Sequence, residues 1–257
     1  MGNNLKFFYG NLIDNKASFA FTSASTDLSS YLYDNDKRTK LQSVGSNDAT
    51  PEVWTITFAA STTFDSLHIS NHNIKSGTLK YWNGSTYVDF STPISWSGNA
   101  AVANYYHFNS VSTTKIQLTM NTTMVVNAEK YVGQIATMVL MGEVVNNPSQ
   151  FDPDFPEDAI VHSTAKGGIV YVLNGYKFYA SITFQASDAD MTLLRTVKDQ
   201  WLPFFIYPCG GSTSYAQEGM RVQDIYLGCW VNSFKPSLPK NRIVGAYTEI
   251  VMEFREV

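Results

Sequence analysis

The run EVWTITFAASTTFDSLHISNHN, Glu52 to Asn73, decides how the first half of the chain folds. In EVWTITF, Trp54, Ile56 and Phe58 fall on one side while Val53, Thr55 and Thr57 fall on the other. That alternation is the side-chain period of a strand with one face buried. In SLHIS, Leu67 and Ile69 share a face, and KIQLTM places Ile116, Leu118 and Met120 together. QIATMVLMGEV is more evenly apolar, as a strand covered on both sides should be. In LKYWNGSTYVDF, Asn83-Gly84 separates two strand-like runs, and both residues tolerate positive φ, so a tight type I′ hairpin is expected. No segment before residue 150 has a helical period. This half reads as an antiparallel sandwich of about eight strands.

Composition narrows the class. Of the 257 residues, 44% are hydrophobic, enough for a real core and against disorder. Only 16% are charged, well below the usual quarter, and Asn, Ser and Thr carry much of the polarity. Net charge is −4 with no basic run among the aromatics, which excludes nucleic acid as a partner class. No apolar run reaches membrane-spanning length, so no membrane insertion is expected. The opening MGNNLKFFYG has no apolar core of a secretory signal, and Lys6 breaks the myristoylation pattern. Cys209 and Cys229 are too few for a disulfide framework and read as free thiols of a chain folded in a cytoplasm.

The texture changes at VVNNPSQFDPDFPED, Val144 to Asp158, whose three prolines and four acids read as an irregular linker. The division expected is a sandwich over 1–146, a linker over 147–158 and a second domain over 159–257. In the second domain, GGIVYVLNGYKFYASITFQA reads as a hairpin turning at Asn174-Gly175. Ser187, with Asp190 three residues on, opens a helix over about 188–201. Met191, Leu194, Val197 and Trp201 share its face, and Pro203 stops it. FFIYP, DIYLGCWVNSF and GAYTEIVMEFREV follow as strands, giving the order β-β-α-β-β-β. In the last, Tyr247, Glu249, Val251, Glu253 and Arg255 lie opposite Thr248, Ile250, Met252 and Phe254. The fold class expected is mainly β: an antiparallel jelly-roll sandwich followed by a sheet with one packed helix.

The segment YLYDNDKRTKLQS, Tyr31 to Ser43, and then EVWTITFAASTTFDSLHISNHN resemble the motifs of the discoidin, or coagulation-factor type C, group of galactose-binding-like jelly rolls. In VLMGEVV, Gly142-Glu143 resembles the glycine and acid that end that group's final strand, so the likeness spans residues 10–146. Asn35 and Leu41 depart from the group's usual glycine and tryptophan. The resemblance implies a structural calcium, with Asp34, Asp36, Thr39 and Glu143 as oxygen donors, since hard cations want six to eight oxygens. The competing reading is that Asp34 and Asp36 cap turns and Arg38 pairs with a carboxylate. The resemblance also implies sugar binding. Trp82, Trp96, Tyr105 and Tyr106, with His107, are the aromatic and polar candidates, although aromatics in a sandwich are more often core.

No catalytic constellation stands out. His68 and His72 are four apart but on a strand and its turn, which does not put them on one face. Gly210-Gly211-Ser212 lacks the Lys of a phosphate loop, and Asp152 and Asp154 lie in the proline-rich stretch. An enzyme is not expected. The C-terminal order, in YKFYASITFQASDADMTLLRTVKDQWLPFFIYP, DIYLGCWVNSF and AYTEIVMEFREV, resembles the tail-tube-type fold of bacteriophage tail proteins. That resemblance implies a structural protein of a phage tail or baseplate, such as a distal tail protein. It would be made in the host bacterial cytoplasm and built into the virion. Its expected partners are copies of itself in a ring and other tail proteins, joined sheet edge to sheet edge. The alternative is a carbohydrate-binding or receptor-binding module for a host surface glycan.

Overall fold

The computed structural model describes residues 5–36, 38–144, 150–154, 157–163, 169–176, 179–200, 203–208, 225–234 and 248–256. The chain is mainly antiparallel β and forms two compact units. One holds residues 9–140, and the other joins residues 1–8 to residues 141–257. In order, the strands are β1 (Lys6–Tyr9), β2 (Lys16–Phe21), β3 (Leu41–Gln42), β4 (Glu52–His72), β5 (Ile74–Trp82), β6 (Tyr87–Val88), β7 (Ile94–Trp96), β8 (Ala103–Thr123) and β9 (Tyr131–Glu143). After these come β10 (Gln150–Asp154), β11 (Glu157–Ser163), β12 (Ile169–Tyr176), β13 (Tyr179–Ala186), helix α1 (Asp188–Asp199), β14 (Phe204–Tyr207), β15 (Tyr226–Trp230) and β16 (Thr248–Glu256).

In the 9–140 unit the strands run β9-β4-β8-β5-β6, with β2 on β4, β3 on β9 and β7 on β5. The long strands β4 and β8 shift register between Thr57 and Thr62 and again between Phe64 and Ser66. Such bulges let one strand serve two layers of a sandwich. The first half of β4 pairs with β2 and its second half with β9. The alternation read from the sequence holds: Trp54, Ile56, Phe58, Leu67, Ile69, Ile116, Leu118 and Met120 are all buried in one core. Phe64 packs edge-on to Phe108 at the centre of this core, with ring centroids 5.9 Å apart.

The hairpin between β5 and β6 forms, but not as a two-residue turn. Trp82 pairs with Tyr87, so the loop has four residues, and only Gly84 takes a positive φ, +106°. Asn83 closes it by accepting from the Ser85 and Thr86 N–H groups at 3.0 Å, an Asx-type bond that replaces the type I′ geometry.

In the other unit the order is β10-β13-β16-β15-β14-β1, and β11 pairs separately with β12. The β-β-α-β-β-β order is present as β12 to β16 around α1. Ser187 and Asp190 make a reciprocal capping box, and Leu194 and Val197 are buried against the sheet. Gly142 makes room for α1, because a Cβ there would lie 2.7 Å from Leu193. On β16, Ile250, Met252 and Phe254 are buried while Glu249, Val251 and Arg255 are exposed, as the alternation required.

Three expectations change here. The stretch expected as linker holds β10, whose Pro153 sits opposite Ala180. Among the described residues β10 stands at the end of the strand order, where an edge strand tolerates the N–H that proline lacks. Asn174-Gly175 is not a turn. It lies within β12, which pairs with β11, and the register slips there, with Asp158 opposite Gly175 and Ala159 opposite Leu173. A bulge uses the same backbone freedom as a turn. Finally, the boundary is not at residue 146. Leu5 and Phe7 are fully buried in the core of the second unit, where the Phe7 ring lies 5.8 Å from Phe204. Cys209, Gly210-Gly211-Ser212, Trp201 and Tyr247 lie outside the described residues.

Candidate functional site

The acidic loop before β3 is closed upon itself. The Asp34 carboxylate accepts from the Asp36 N–H at 2.9 Å and from the Thr39 hydroxyl at 2.9 Å. Asp36 accepts from the Arg38 N–H at 2.9 Å and pairs with its guanidinium at 2.7 Å. That guanidinium holds the Asp36 carboxyl below the usual range. Asn35 takes φ +58°, which an asparagine tolerates. The Gln134 side chain, with its oxygen toward the loop, accepts from the Asn35 and Asp36 N–H groups at 2.9 Å. Asp34, Asp36 and Thr39 therefore come together. Glu143 belongs to the other unit and forms an ion pair with Lys6 at 3.0 Å. Every oxygen of the two aspartates already accepts from the loop, so this set does not fit a calcium ion as it stands. Among the described residues no group of three or more His, Cys, Asp or Glu side chains could hold a metal.

Of the aromatic candidates, Trp96 is core. It is 6% exposed, its Nε1 donates to Asn104 Oδ1 at 3.2 Å, and Tyr106 packs edge-on at 6.0 Å. Burial pushes the Tyr106 hydroxyl up to about 12. Asn104 Oδ1 also accepts from His72 Nε2 at 2.8 Å, while His72 Nδ1 accepts from the Ile74 N–H at 3.1 Å. The ring is thus the Nε2–H tautomer, and burial lowers its pKa to about 4. Tyr105 is half-buried on β8 opposite His68, and His107 lies opposite Ser66, whose hydroxyl is 3.1 Å from His107 Nδ1.

Trp82 stands apart from this network. It is half-exposed at the end of β5, edge-on to Tyr87 with centroids 5.2 Å apart. Its neighbours follow from the register: Lys80 is opposite Gln117, Gln117 opposite Thr55, and Lys115 opposite Thr57. These residues occupy the strand positions opposite to the buried Ile56, Ile116, Leu118 and Leu79, so they form the outer face of the layer. The Lys115 ammonium lies 5.4 Å from the Trp82 ring centre. The buried hydroxyl of Thr113 shares its one proton between the carbonyls of Trp82, at 2.7 Å, and Lys115, at 2.9 Å, and so ties the two strand ends together. An aromatic pair bordered by hydroxyl and amide groups can stack on an apolar sugar face and bond to its hydroxyls.

Two further features were not legible in the sequence. At the bulge of β4, Leu12, Asn15 and residues 59–63 line a pocket of about 370 Å³, with no ionisable side chain in its wall. At the far loops, Lys130 is fully buried, and its ammonium donates to Ser46 Oγ at 2.9 Å, to the Thr50 carbonyl at 2.9 Å and to the Asn47 carbonyl. Asp48 on that loop accepts from the Thr123 and Asn127 N–H groups, and Glu129 accepts from the Gly45 N–H. These backbone donors, led by Asn127 for Asp48 and by Gly45 for Glu129, hold both carboxyls below their usual values.

No family model and no curated protein matches the sequence. Solved structures do match in fold, over about half of the chain. The chitosan-binding module 1 derived from a chitosanase/glucanase of Paenibacillus sp. IK-5 is 14% identical, with 50% of this chain and 98% of that chain covered and a TM-score of 0.42. The family 32 carbohydrate-binding module from C. perfringens NanJ, solved with galactose, is 15% identical, with 52% and 98% covered and a TM-score of 0.40. A putative alpha-L-fucosidase from Bacteroides thetaiotaomicron is 14% identical, with 52% of this chain but 30% of that chain covered and a TM-score of 0.44. Against SpGH29 the identity is 13%, the TM-score is 0.42, and 28% of that chain is spanned.

Proposed function

We propose that the 9–140 unit is a carbohydrate-binding module. What supports this reading is local to the chain: a half-exposed Trp82–Tyr87 pair, held by the Asn83 loop, on a sheet face of threonine and glutamine. The face offers a stacking surface and neutral hydrogen-bonding groups, and among the described residues no set of side chains poised for catalysis accompanies it. Removing Trp82 takes away the stacking surface without opening the core. A glycan array probed with the whole chain should give binding that Trp82→Ala weakens by about tenfold or more, the equivalent of roughly 1.4 kcal/mol, at unchanged thermal stability. Undiminished binding by Trp82→Ala would place the sugar elsewhere.

A second reading concerns the other unit. The order β12 to β16 around a capped helix, and an edge strand β10 at the end of the sheet, favour a role in assembly. On this reading the chain is a structural part of a phage tail or baseplate, building a ring through this unit with the sandwich at its periphery. Light scattering after size exclusion should show a defined multimer, and tail particles viewed by electron microscopy should contain the chain. A strictly monomeric chain absent from such particles would end this reading.

A further inference from the structure

We infer that the Trp82 face selects an acidic sugar unit, with Lys115 supplying the countercharge; this rests on the carbohydrate-binding reading above. The chain as a whole is acidic, at −4, yet this face is locally positive. Asp89 and Lys80 neutralise each other at 3.5 Å. Lys115 has no carboxylate within ion-pair range among the described residues; its ammonium lies over one face of the Trp82 ring, 5.4 Å from its centre and within cation–π range. The other groups of the face, Thr55, Thr57 and Gln117, are neutral, and Gln117 Nε2 reaches Thr55 Oγ1 at 3.4 Å.

The spacing of ring and cation is built in. Thr113 is 2% exposed and its single hydroxyl lies between the carbonyls of Trp82 and Lys115, which restrains the two strand ends relative to each other. A pyranose stacked on the indole beside that ammonium would present a carboxylate or sulfate substituent to a cation that, among the described residues, gives up only its contact with the ring to receive it. Bonds between ionised partners are stronger than neutral ones, so the cation decides between charged and uncharged sugars of the same shape. A single unpaired lysine is far short of the cluster that nucleic acid needs, which leaves an acidic glycan as the fitting occupant.

The test uses the intact chain and matched probe pairs: oligogalacturonate with its methyl ester, sialyllactose with lactose, and sulfated with unsulfated lactose. Isothermal titration should show one acidic member bound about tenfold or more tightly than its neutral partner, a preference that fades as ionic strength rises. Lys115→Met should equalise that pair while keeping the stacking affinity that Trp82→Ala weakens. Lys115→Gln, which retains a polar end, guards against a folding defect in the methionine variant. Equal binding of both members by the wild-type chain, or a preference that survives both Lys115 variants, overturns the acidic selectivity and leaves the carbohydrate reading standing. Binding to no member of any pair, nor to any glycan on the array, overturns both.

Discussion

Lys130→Met should lower the unfolding free energy of the 9–140 unit by about 3 kcal/mol, through the loss of three hydrogen bonds to a charged donor. Methionine matches the volume of the lysine stem, so packing is nearly preserved and the loss isolates the ammonium. Three oxygens, Ser46 Oγ and the carbonyls of Asn47 and Thr50, converge on that ammonium in a place closed to water. Without it the Asn47 carbonyl keeps only the Thr50 N–H, at 3.1 Å, and the Thr50 carbonyl only the Ser46 hydroxyl, at 3.2 Å, so the loop loses its three charge-assisted bonds and the tie to the buried strand end. Burial lowers the Lys130 pKa, opposed by Asp48 and Glu52, so the charged form is kept by its oxygen partners against the cost of desolvation. Urea unfolding gives the free energy, and hydrogen exchange at residues 46–50 reports the loop. A variant within 0.5 kcal/mol of wild type (the ordinary surface-substitution range), with the loop amides still protected, would show that the ammonium is not what holds it.

The second large effect is on pH dependence. His72 is fully buried, and its pKa is lowered from 6.5 to about 4, chiefly by that burial. A second proton would fall on Nδ1, which now accepts from the Ile74 N–H, so protonation also turns an acceptor toward a donor. The folded state binds fewer protons than the unfolded state between pH 6.5 and about 4. Stability therefore falls as pH drops through that window, by up to about 3 kcal/mol, and the contribution levels off below it. Asp48 and Glu129 act in a lower window. Their carboxyls are depressed, so their contributions persist above the unfolded carboxylate range and disappear only as pH falls through the folded values. Comparing urea midpoints of wild type and His72→Gln from pH 7 to 4 isolates the histidine. The variant should start less stable and show a much flatter slope, and parallel slopes would mean that His72 does not remain neutral.

Some parts of this molecule are local and were readable as such. Trp54, Ile56 and Phe58 are buried because a strand alternates its faces with a period of two and one face must leave water. The Ser187–Asp190 capping box needs only residues three apart. Lys115 and Gln117 could be placed on the polar face of KIQLTM from the same alternation, and Trp82 was already a candidate.

Other parts depend on distant partners. Nothing near Lys130 in the sequence announces Ser46, Asn47 and Thr50, and nothing near Leu5 announces a core built from the opposite end of the chain. Trp96 and Trp82 look alike as residues, yet one is sealed by Asn104, His72 and Tyr106 while the other sits on an outer face. Asn174-Gly175 has the backbone freedom for a turn, and only pairing with β11 made it a bulge. Sequence alone therefore determined the mainly β class, the inward faces and the capped helix, because these obey periods of two to four residues. Tertiary structure decided the unit boundary, the caged lysine and which tryptophan meets solvent, because strand pairing joins residues dozens of positions apart.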